Sequence, residues 1–285
     1  MTVKGKKMDK PGTNQGSLKT GDTEMFKLVT FNIRCDYGQD GVNNFQYRKE
    51  LIKQKLEQQQ PDVICFQEVL PHVADWLKET LAAYYVAGCG REKAFNGEQM
   101  TVAFRKDRMN LIAMDTFWLS SDEYCPGSRY AQQSDCPRTC TELVLEDMES
   151  KRVFRLMNTH LDHQGAKARE LGLAQILKRI HSQQFLPDIP VLLAGDFNAE
   201  PDSEEMLMLQ KENVMNLTQD IGITFHGFLP EERPEKIDYI FLFNGKDKEQ
   251  QLEPEKTEKW EDREGEVWLS DHYPICAWLK WKNQE

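Results

Sequence analysis

Polar residues recur where apolar runs of this sequence stop. The run "VLLAGD" ends at Asp196 and "RLMNTH" ends at His160, while "KLVTFN" ends at Asn32 and "DVICFQE" ends at Glu68; Asp238 opens "DYIFLF". Because burying an unpaired carboxylate costs several kcal/mol, each of these groups needs a partner. If the strand ends lie side by side, the groups either pair with one another or hold a hard divalent cation.

Two short segments sharpen this pattern. In "VLLAGDFNAEPDS", residues two apart in an extended strand face the same way, so Asp196 and Asn198 are predicted to share one side and Phe197 to turn back into packing. In "SDHYP", Asp271 and His272 precede another apolar run. Since Ser, Asp and His are consecutive there, they cannot form a nucleophile–base–orienter relay.

Each residue taken singly also has a structural explanation. Asn32 can satisfy backbone groups at a turn, Glu68 can pair with a buried arginine, and Asp238 can serve as a hydrogen-bonding group inside its strand. A lone buried histidine is more often structural than catalytic. Their repeated occurrence at strand ends nevertheless favours chemistry. The chain has neither a G-x-S-x-G elbow nor a G-x-x-x-x-G-K loop, and its oxygen-rich set favours Mg²⁺ or Mn²⁺ over zinc.

Composition predicts a soluble, cytoplasmic protein of one large domain, or at most two. The 285 residues are 39% hydrophobic and 29% charged, and no apolar run approaches the roughly 18–20 residues that cross a bilayer. Residues 1–24 are polar and are predicted to be a disordered tail before a domain at 25–285. We expect a monomer without membrane attachment.

The charge balance bears on the partner. The chain has 36 basic and 47 acidic residues, a net charge of -11, whereas proteins that hold long nucleic acids usually present a basic face. A small phosphate ester is therefore the favoured substrate, with nucleic acid left open. The seven cysteines are scattered and predicted to be reduced, and a structural zinc site at Cys125, Cys136 and Cys140 is the alternative.

Strand-like runs recur from residue 26 and helical patterns lie between some of them. We predict helices at 46–59, 165–182 and 203–211, the last capped by Ser203. Many strands with few helices favour a mixed α/β layered sandwich. The charge-dense stretch 245–266 is predicted to be an exposed loop or edge hairpin, or alternatively the rim of a site.

The ordered motifs "TFNIR", "FQE", "GEQMTVAF", "NTHLDH", "GDFNAEPDS", "IDYIF" and "SDHYP" resemble the endonuclease/exonuclease/phosphatase superfamily. They run from about residue 26 to 280, and "FWLS", "PRTCT" and "TFHGF" are similar to segments of uncharacterised bacterial members. The resemblance implies a deoxyribonuclease-like four-layer αββα sandwich, with two facing mixed β-sheets between helices. The site would lie at one end of the sheets.

The resemblance also implies roles by position. Glu68 matches the main metal-binding carboxylate, with Asn32 beside it and Asp271 as a further ligand of the shell. Asp196 matches the residue that orients or deprotonates the attacking water, with Asn198 alongside.

The histidines have implied roles of their own. His272 matches the histidine of the family's "SDH" motif, and Asp238 would orient it and raise its basicity. His160 would bind a phosphate oxygen, with Glu98 as its partner.

Three further residues are candidates for substrate binding. Arg169 lies on the apolar face of a predicted helix and needs either a substrate phosphate or a core carboxylate. Arg138 is the second candidate. Trp118 either stacks on a base or sugar or packs in the core.

The function expected from these features is Mg²⁺-dependent hydrolysis of a phosphate mono- or diester by in-line attack of water, on a small or short substrate. A DNA or RNA nuclease, acting as an endonuclease or exonuclease, is the enzymatic alternative. A non-catalytic binding module is a third, and it would predict losses among the metal and water-activating residues, which the sequence does not show.

Overall fold

The computed structural model describes residues 25–182, 188–229, 232 and 234–282. The predicted disordered tail, residues 1–24, lies outside the described residues. Within the described part, no helix has both the length and the apolar character needed to cross a membrane.

Helices occur between the strands in chain order. They are α1 (Phe45–Gln59), α2 (Pro71–Thr80), α3 (Ala166–His181) and α4 (Glu204–Gln210), with two short 3-10 turns at Gly41–Asn43 and Lys248–Gln250.

Fourteen strands are found in the described chain, and most are short and buried. They are β1 (Met25–Asn32), β2 (Val63–Val69), β3 (Tyr84–Ala87), β4 (Gln99–Arg105), β5 (Met109–Trp118), β6 (Thr139–Asp147), β7 (Arg152–His160), β8 (Val191–Asp196), β9 (Met215–Asn216), β10 (Asp238–Phe243), β11 (Leu252–Lys259), β12 (Arg263–Glu264), β13 (Val267–Trp268) and β14 (Ile275–Trp281).

The strands form two mixed six-stranded sheets and one small hairpin. The first sheet has the order β11-β14-β1-β2-β4-β3, and the second has the order β5-β6-β7-β8-β10-β9. Strands β1 and β2 are parallel in the first sheet, as are β7 and β8 in the second, while the other pairs are antiparallel. Parallel neighbours put their carboxyl ends at the same edge, which is how one end of each sheet collects polar groups.

Three apolar clusters divide the molecule into four layers. Side chains of both sheets interdigitate in the middle, where Phe26 stacks on Phe154 with ring centroids 5.1 Å apart. A second cluster packs α1 and α2 on the outer face of the first sheet, and a third packs α3 and α4 on the outer face of the second. The predicted αββα sandwich with two facing mixed sheets is confirmed.

Helix positions follow the sequence closely, with two differences. Helix α1 ends at Gln59, and the next residue, Gln60, has a left-handed φ of 44° and precedes Pro61. Helix α4 begins after Ser203 as predicted, but the Ser203 hydroxyl has no hydrogen-bond partner among the described residues, so the predicted side-chain cap is wrong. Helix α2 was not predicted; it begins with Pro71, a residue that favours the first turn of a helix.

The stretch 245–266 is partly regular structure. Strand β11 pairs with β14 at the edge of the first sheet, and β12 turns back on β13 as a hairpin. The prediction of an exposed edge is therefore confirmed for much of this stretch. All seven cysteines are free thiols, with Cys65 and Cys276 fully buried in their strands.

Candidate active site

Three neighbouring strand ends bring one row of polar side chains together. In the register of the second sheet, His160 on β7 lies opposite Asp196 on β8, and Asp196 lies opposite Asp238 on β10. All three residues are buried. Strand pairing alone therefore gathers an imidazole and two carboxylates at one edge of this sheet.

The first sheet contributes Asn32 at the end of β1 and Glu68 near the end of β2. The pairing of β2 with β4 is irregular between Phe66 and Val69, and Glu68 has a left-handed φ of 61°. Such a bulge redirects a side chain from the regular alternation of the strand. The Glu68 carboxylate accepts a 2.8 Å bond from the backbone N–H of Cys35 and a 3.0 Å bond from the Asn32 amide.

The polar side chains of the first sheet contact those of the second sheet across the gap between the sheets. The Asn32 amide also donates to Asp196 Oδ2 at 3.0 Å, and ligand atoms of Glu68, Asp196 and His272 all lie within 4.8 Å of one another. The two carboxylates are suitable ligands for a hard divalent cation, because such ions prefer oxygen. The Asn32 amide turns its N–H groups toward them and its oxygen toward the Arg34 backbone N–H. The residues present therefore fit a metal site.

The two carboxylates differ in their electrostatic environment. Burial opposes ionisation of Glu68, but the Asn32 hydrogen bond, the charge of His272 and the Cys35 N–H outweigh it and lower the pKa of Glu68 to about 2. At Asp196, burial and the neighbouring charge of Asp238 raise the pKa to about 7, against the opposing effect of His272. Glu68 is thus ionised at neutral pH, whereas Asp196 can exchange a proton there.

His272 is held by Asp238, as the resemblance implied. The His272 Nδ1 lies 2.8 Å from Asp238 Oδ2, and its Nε2 points toward Asp196 Oδ2 at 3.8 Å. Burial alone would lower the pKa of His272, yet the charge and hydrogen bond of Asp238 raise it to about 10. The ring is therefore a cation that faces the carboxylates of Glu68 and Asp196.

His160 is neutral, and its neighbour in the structure is Asp196 instead of the predicted Glu98. Its Nε2 lies 3.4 Å from Asp196 Oδ2, and burial, followed by the charges of Arg138 and Arg91, places the pKa of His160 well below its usual value. Glu98 does not pair with His160: it accepts bonds of 2.7 and 3.0 Å from Arg91. The predicted Glu98 pairing is wrong because a guanidinium fork matches a carboxylate better than an imidazole does.

Asn198 reaches the site by a turn rather than by strand alternation. Strand β8 ends at Asp196, and Asn198 has a left-handed φ of 47°. Its backbone N–H donates to Asp196 Oδ1 at 2.9 Å, while its amide donates to the Leu161 carbonyl. Phe197 packs against the rings of Tyr239 and Phe241, as predicted. The same-face argument thus placed Phe197 correctly and gave the wrong geometry for Asn198.

Asp271 lies near the cluster but does not join it. Its Oδ2 contacts Arg34 at 3.2 Å and its Oδ1 accepts from Ser270 at 3.1 Å. Asp271 is therefore outside the group of ligand atoms that meet within 4.8 Å, and its part in a metal site stays a prediction.

Two of the three substrate-binding candidates have structural partners instead. Arg169 pairs with the buried carboxylate of Glu205 and donates to the Asp162 carbonyl at 3.0 Å, so the core-carboxylate alternative holds. Trp118 is buried and its indole N–H donates to the Arg91 carbonyl at 2.6 Å, so core packing holds there. Both residues are therefore corrected from substrate binding to structure.

Sequence reasoning missed an amide pair that bridges the sheets beneath the site. Gln67 on β2 donates to Asn158 Oδ1 at 2.8 Å, and the Asn158 amide donates to the carbonyls of Phe66 and Thr101. Both residues are fully buried. The signal was present in "FQE" and "NTH", where an amide stands in an otherwise apolar run.

A buried arginine was also missed. Arg48 on α1 is fully buried and donates to the carbonyls of Asn43, Ile33 and Leu269 at 2.7–2.8 Å. It ties the segment after Asn32 to the segment before Asp271. A signal was present in the sequence, because the spacing of Arg48 from Phe45 and Ile52 places it on the buried face of α1.

Gly195 is required by close packing under Asp196. Its φ is 146°, and a Cβ at this position would lie 1.9 Å from the Thr159 carbonyl oxygen on the adjacent strand. We expect Gly195→Ala to lower the free energy of unfolding by about 3 kcal/mol or more, because a backbone atom cannot move aside as a side chain can. Urea denaturation followed by circular dichroism measures this loss.

Gly222→Ala is the matched control for Gly195→Ala. Gly222 also has a positive φ, 75°, but nothing lies within 4 Å of a Cβ there. Its substitution should cost only the backbone strain, about 1 kcal/mol. Equal losses in the two variants would contradict the steric argument.

Comparison with known proteins agrees with this geometry. The sequence model of the Endonuclease/Exonuclease/phosphatase family matches residues 29–272. The crystal structure of an endonuclease/exonuclease/phosphatase from Bacteroides vulgatus superimposes with a TM-score of 0.82 at 30% identity, covering 90% of this chain and 99% of that one.

Curated relatives share shorter stretches. Nocturnin from Drosophila melanogaster is 31% identical over 59% of this chain, and human 2',5'-phosphodiesterase 12 is 27% identical over 65% of it. The matches span only 26% and 36% of those two proteins. The family match over most of the sequence and the shared four-layer fold show that this chain belongs to the Endonuclease/Exonuclease/phosphatase family.

Proposed function

We propose that the chain is a Mg²⁺- or Mn²⁺-dependent hydrolase that cleaves a phosphate mono- or diester by in-line attack of water. The observation that carries this proposal is the meeting of Glu68, Asp196 and His272 within 4.8 Å at the edge of the two sheets. Glu68 and Asn32 would hold the ion. When bound, the ion neutralises charge on the phosphate oxygens and stabilises the leaving oxyanion.

Three protein side chains activate the water and bind the phosphate oxygens. Asp196 accepts the proton of the attacking water, since its raised pKa of about 7 suits a general base at neutral pH. His272, held as a cation by Asp238, donates to a phosphate oxygen and stabilises charge that develops there. Neutral His160 binds another phosphate oxygen from the neighbouring strand end.

The substrate is proposed to be small or short. The net charge of -11 weakens attraction to a polyanion, whereas a single phosphate ester needs only the local cations of the site. A nuclease is the second candidate, favoured by the likeness to a relative named as a phosphodiesterase. We also propose that the enzyme is a cytoplasmic monomer without membrane attachment.

A panel of phosphate esters tests the activity. It comprises bis-p-nitrophenyl phosphate, nucleotides, inositol phosphates, and single- and double-stranded DNA and RNA, each with Mg²⁺ or Mn²⁺. A nuclease would bind polynucleotides with a steep salt dependence, and a small-ester hydrolase would not. Failure to hydrolyse any of these esters with either ion would count against the proposal.

Metal dependence is tested at Glu68. EDTA should abolish hydrolysis and added Mg²⁺ should restore it. Glu68→Gln removes the anionic ligand, so we expect the Mg²⁺ concentration for half-maximal activity to rise at least about 10-fold. Glu57→Gln, an exposed glutamate on α1, is the matched control and should behave as wild type. An unchanged Mg²⁺ requirement in Glu68→Gln would remove Glu68 from the metal site.

A further inference from the structure

Arg138 is a buried cation whose hydrogen-bonding capacity is largely unused. It precedes β6 and is 4% exposed. A guanidinium has five N–H donors, yet among the described residues only its Nη2 has a hydrogen-bond partner, His163 Nδ1 at 2.8 Å. Its Nε and Nη1 have no hydrogen-bond partner there. A buried charged group in this condition calls for an acceptor.

The neighbouring carboxylates do not supply that acceptor. Asp162 approaches Arg138 Nε only to 3.7 Å, and its two oxygens already accept from the backbone and hydroxyl of Ser134 and from two backbone N–H groups at 164 and 165. Glu98 is occupied by both terminal nitrogens of Arg91. Neither carboxylate therefore satisfies the Nε and Nη1 donors of Arg138.

Arg138 lies in the same row of strand ends as the reaction centre. Strand β6 pairs with β7 so that Cys140 faces Thr159, which places Arg138 beside the end of β7, next to His160. Strands are spaced by about 4.8 Å, so Arg138 stands one strand beyond His160 and two strands, about 10 Å, from Asp196. The nearness of Arg138 to His160 also contributes to the lowered pKa of that histidine.

The neighbour of Arg138 on the solvent side is His163, an exposed residue that contacts the guanidinium at Nη2. An anion that displaces the imidazole would meet a guanidinium with several free donors, which suits the bidentate binding of a phosphate.

We propose that Arg138 forms an anion subsite beside His160, and that the substrate carries a second phosphate in addition to the one that is cleaved. The substrate half of this inference rests on the proposed function, whereas the subsite itself can be tested without turnover. The substrate class is thus a phosphate ester with two phosphate groups separated by roughly the distance of two strands.

The binding test uses sulfate as the probe and the full chain in EDTA, so that no metal is present. Isothermal titration calorimetry at low ionic strength should detect sulfate binding to the wild type and at least a 10-fold weaker binding to Arg138→Met. Arg129→Met is the matched control, because Arg129 is an exposed arginine paired with Asp135 in the neighbouring loop. Its sulfate affinity should equal that of the wild type.

The subsite is refuted if the wild type does not bind sulfate, or if Arg138→Met binds it with unchanged affinity. If affinity kept in Arg138→Met is also lost in His160→Ala, the anion lies at the reaction centre instead. If circular dichroism shows that Arg138→Met does not fold, Arg138→Lys replaces it: loss of the planar fork should weaken sulfate binding at least 3-fold, and unchanged affinity would contradict the proposal.

A pair of chromogenic esters tests the substrate class. Thymidine 5'-(p-nitrophenyl phosphate) is compared with the same ester carrying a 3'-phosphate, in Mg²⁺. The wild type should show at least a 10-fold higher kcat/KM for the 3'-phosphorylated ester, and Arg138→Met should lose this preference. Equal kcat/KM values in the wild type would refute the second phosphate. Sulfate binding that depends on Arg138 without hydrolysis of either ester or of the panel would refute the proposed function and leave the subsite standing.

Discussion

Asp196→Asn is expected to lower kcat by about 100-fold or more while the protein stays folded. The Asp196 carboxylate is buried and flanked by His160 and Asp238, and its pKa of about 7 suits removal of a proton from water at neutral pH. An amide of the same size cannot accept that proton, and general-base contributions are typically 10²–10⁴ in rate. Steady-state kinetics at saturating Mg²⁺ measure the loss.

The fold should survive Asp196→Asn because an amide oxygen can still accept from Asn32. Circular dichroism and the thermal midpoint check this. Asp107→Asn is the matched control: Asp107 is exposed, pairs with Arg105 and follows β4 at the opposite end of the sheet. Wild-type kcat in Asp196→Asn would remove Asp196 from the role of general base.

His272→Ala is expected to lower kcat by a similar factor and, unlike Asp196→Asn, to destabilise the protein. The imidazolium is the partner of Asp238 at 2.8 Å, and both groups are buried. Removing one partner of a buried ion pair leaves the other charge uncompensated, at a typical cost of about 3–5 kcal/mol. Kinetics and urea denaturation should therefore both show losses.

A second replacement separates these two effects. In His272→Ala combined with Asp238→Asn, the uncompensated charge is gone, so much of the stability should return while kcat stays low. His181→Ala is the control, since His181 is exposed at the far end of α3 and pairs with Glu212. Recovery of turnover in the double variant would show that His272 acts only through stability.

The sequence was most informative where local rules suffice. Strand and helix positions follow from apolar periodicity, and the gathering of Asn32, Glu68 and Asp196 follows from polar residues at the ends of buried strands. The alternation of side chains along a strand correctly predicted that Phe197 packs in the core. It failed for Asn198, because the chain turns there with a left-handed φ. Such a turn depends on a single dihedral angle that composition does not reveal.

Partners that come from distant segments could not be predicted. Arg169 has the spacing of a core-facing residue, but its partner Glu205 belongs to another helix. Trp118 donates to the Arg91 carbonyl and Glu98 accepts from the Arg91 guanidinium. No sequence motif pointed to Arg91. These contacts depend on how loops fold back on the sheets, and loops carry no periodic signal.

The contacts between the sheets have a consequence for how this protein can change. Three polar contacts join one sheet to the other at or beneath the candidate site: Asn32 with Asp196, Gln67 with Asn158, and His272 with Asp238.

Some of the groups proposed for catalysis therefore also hold the two sheets together at this edge. A substitution that alters them also alters how the sheets pack against each other. The loops at 90–98 and 119–138 contribute to none of these three contacts. Substitutions in these loops can therefore change substrate preference without changing how the two sheets pack.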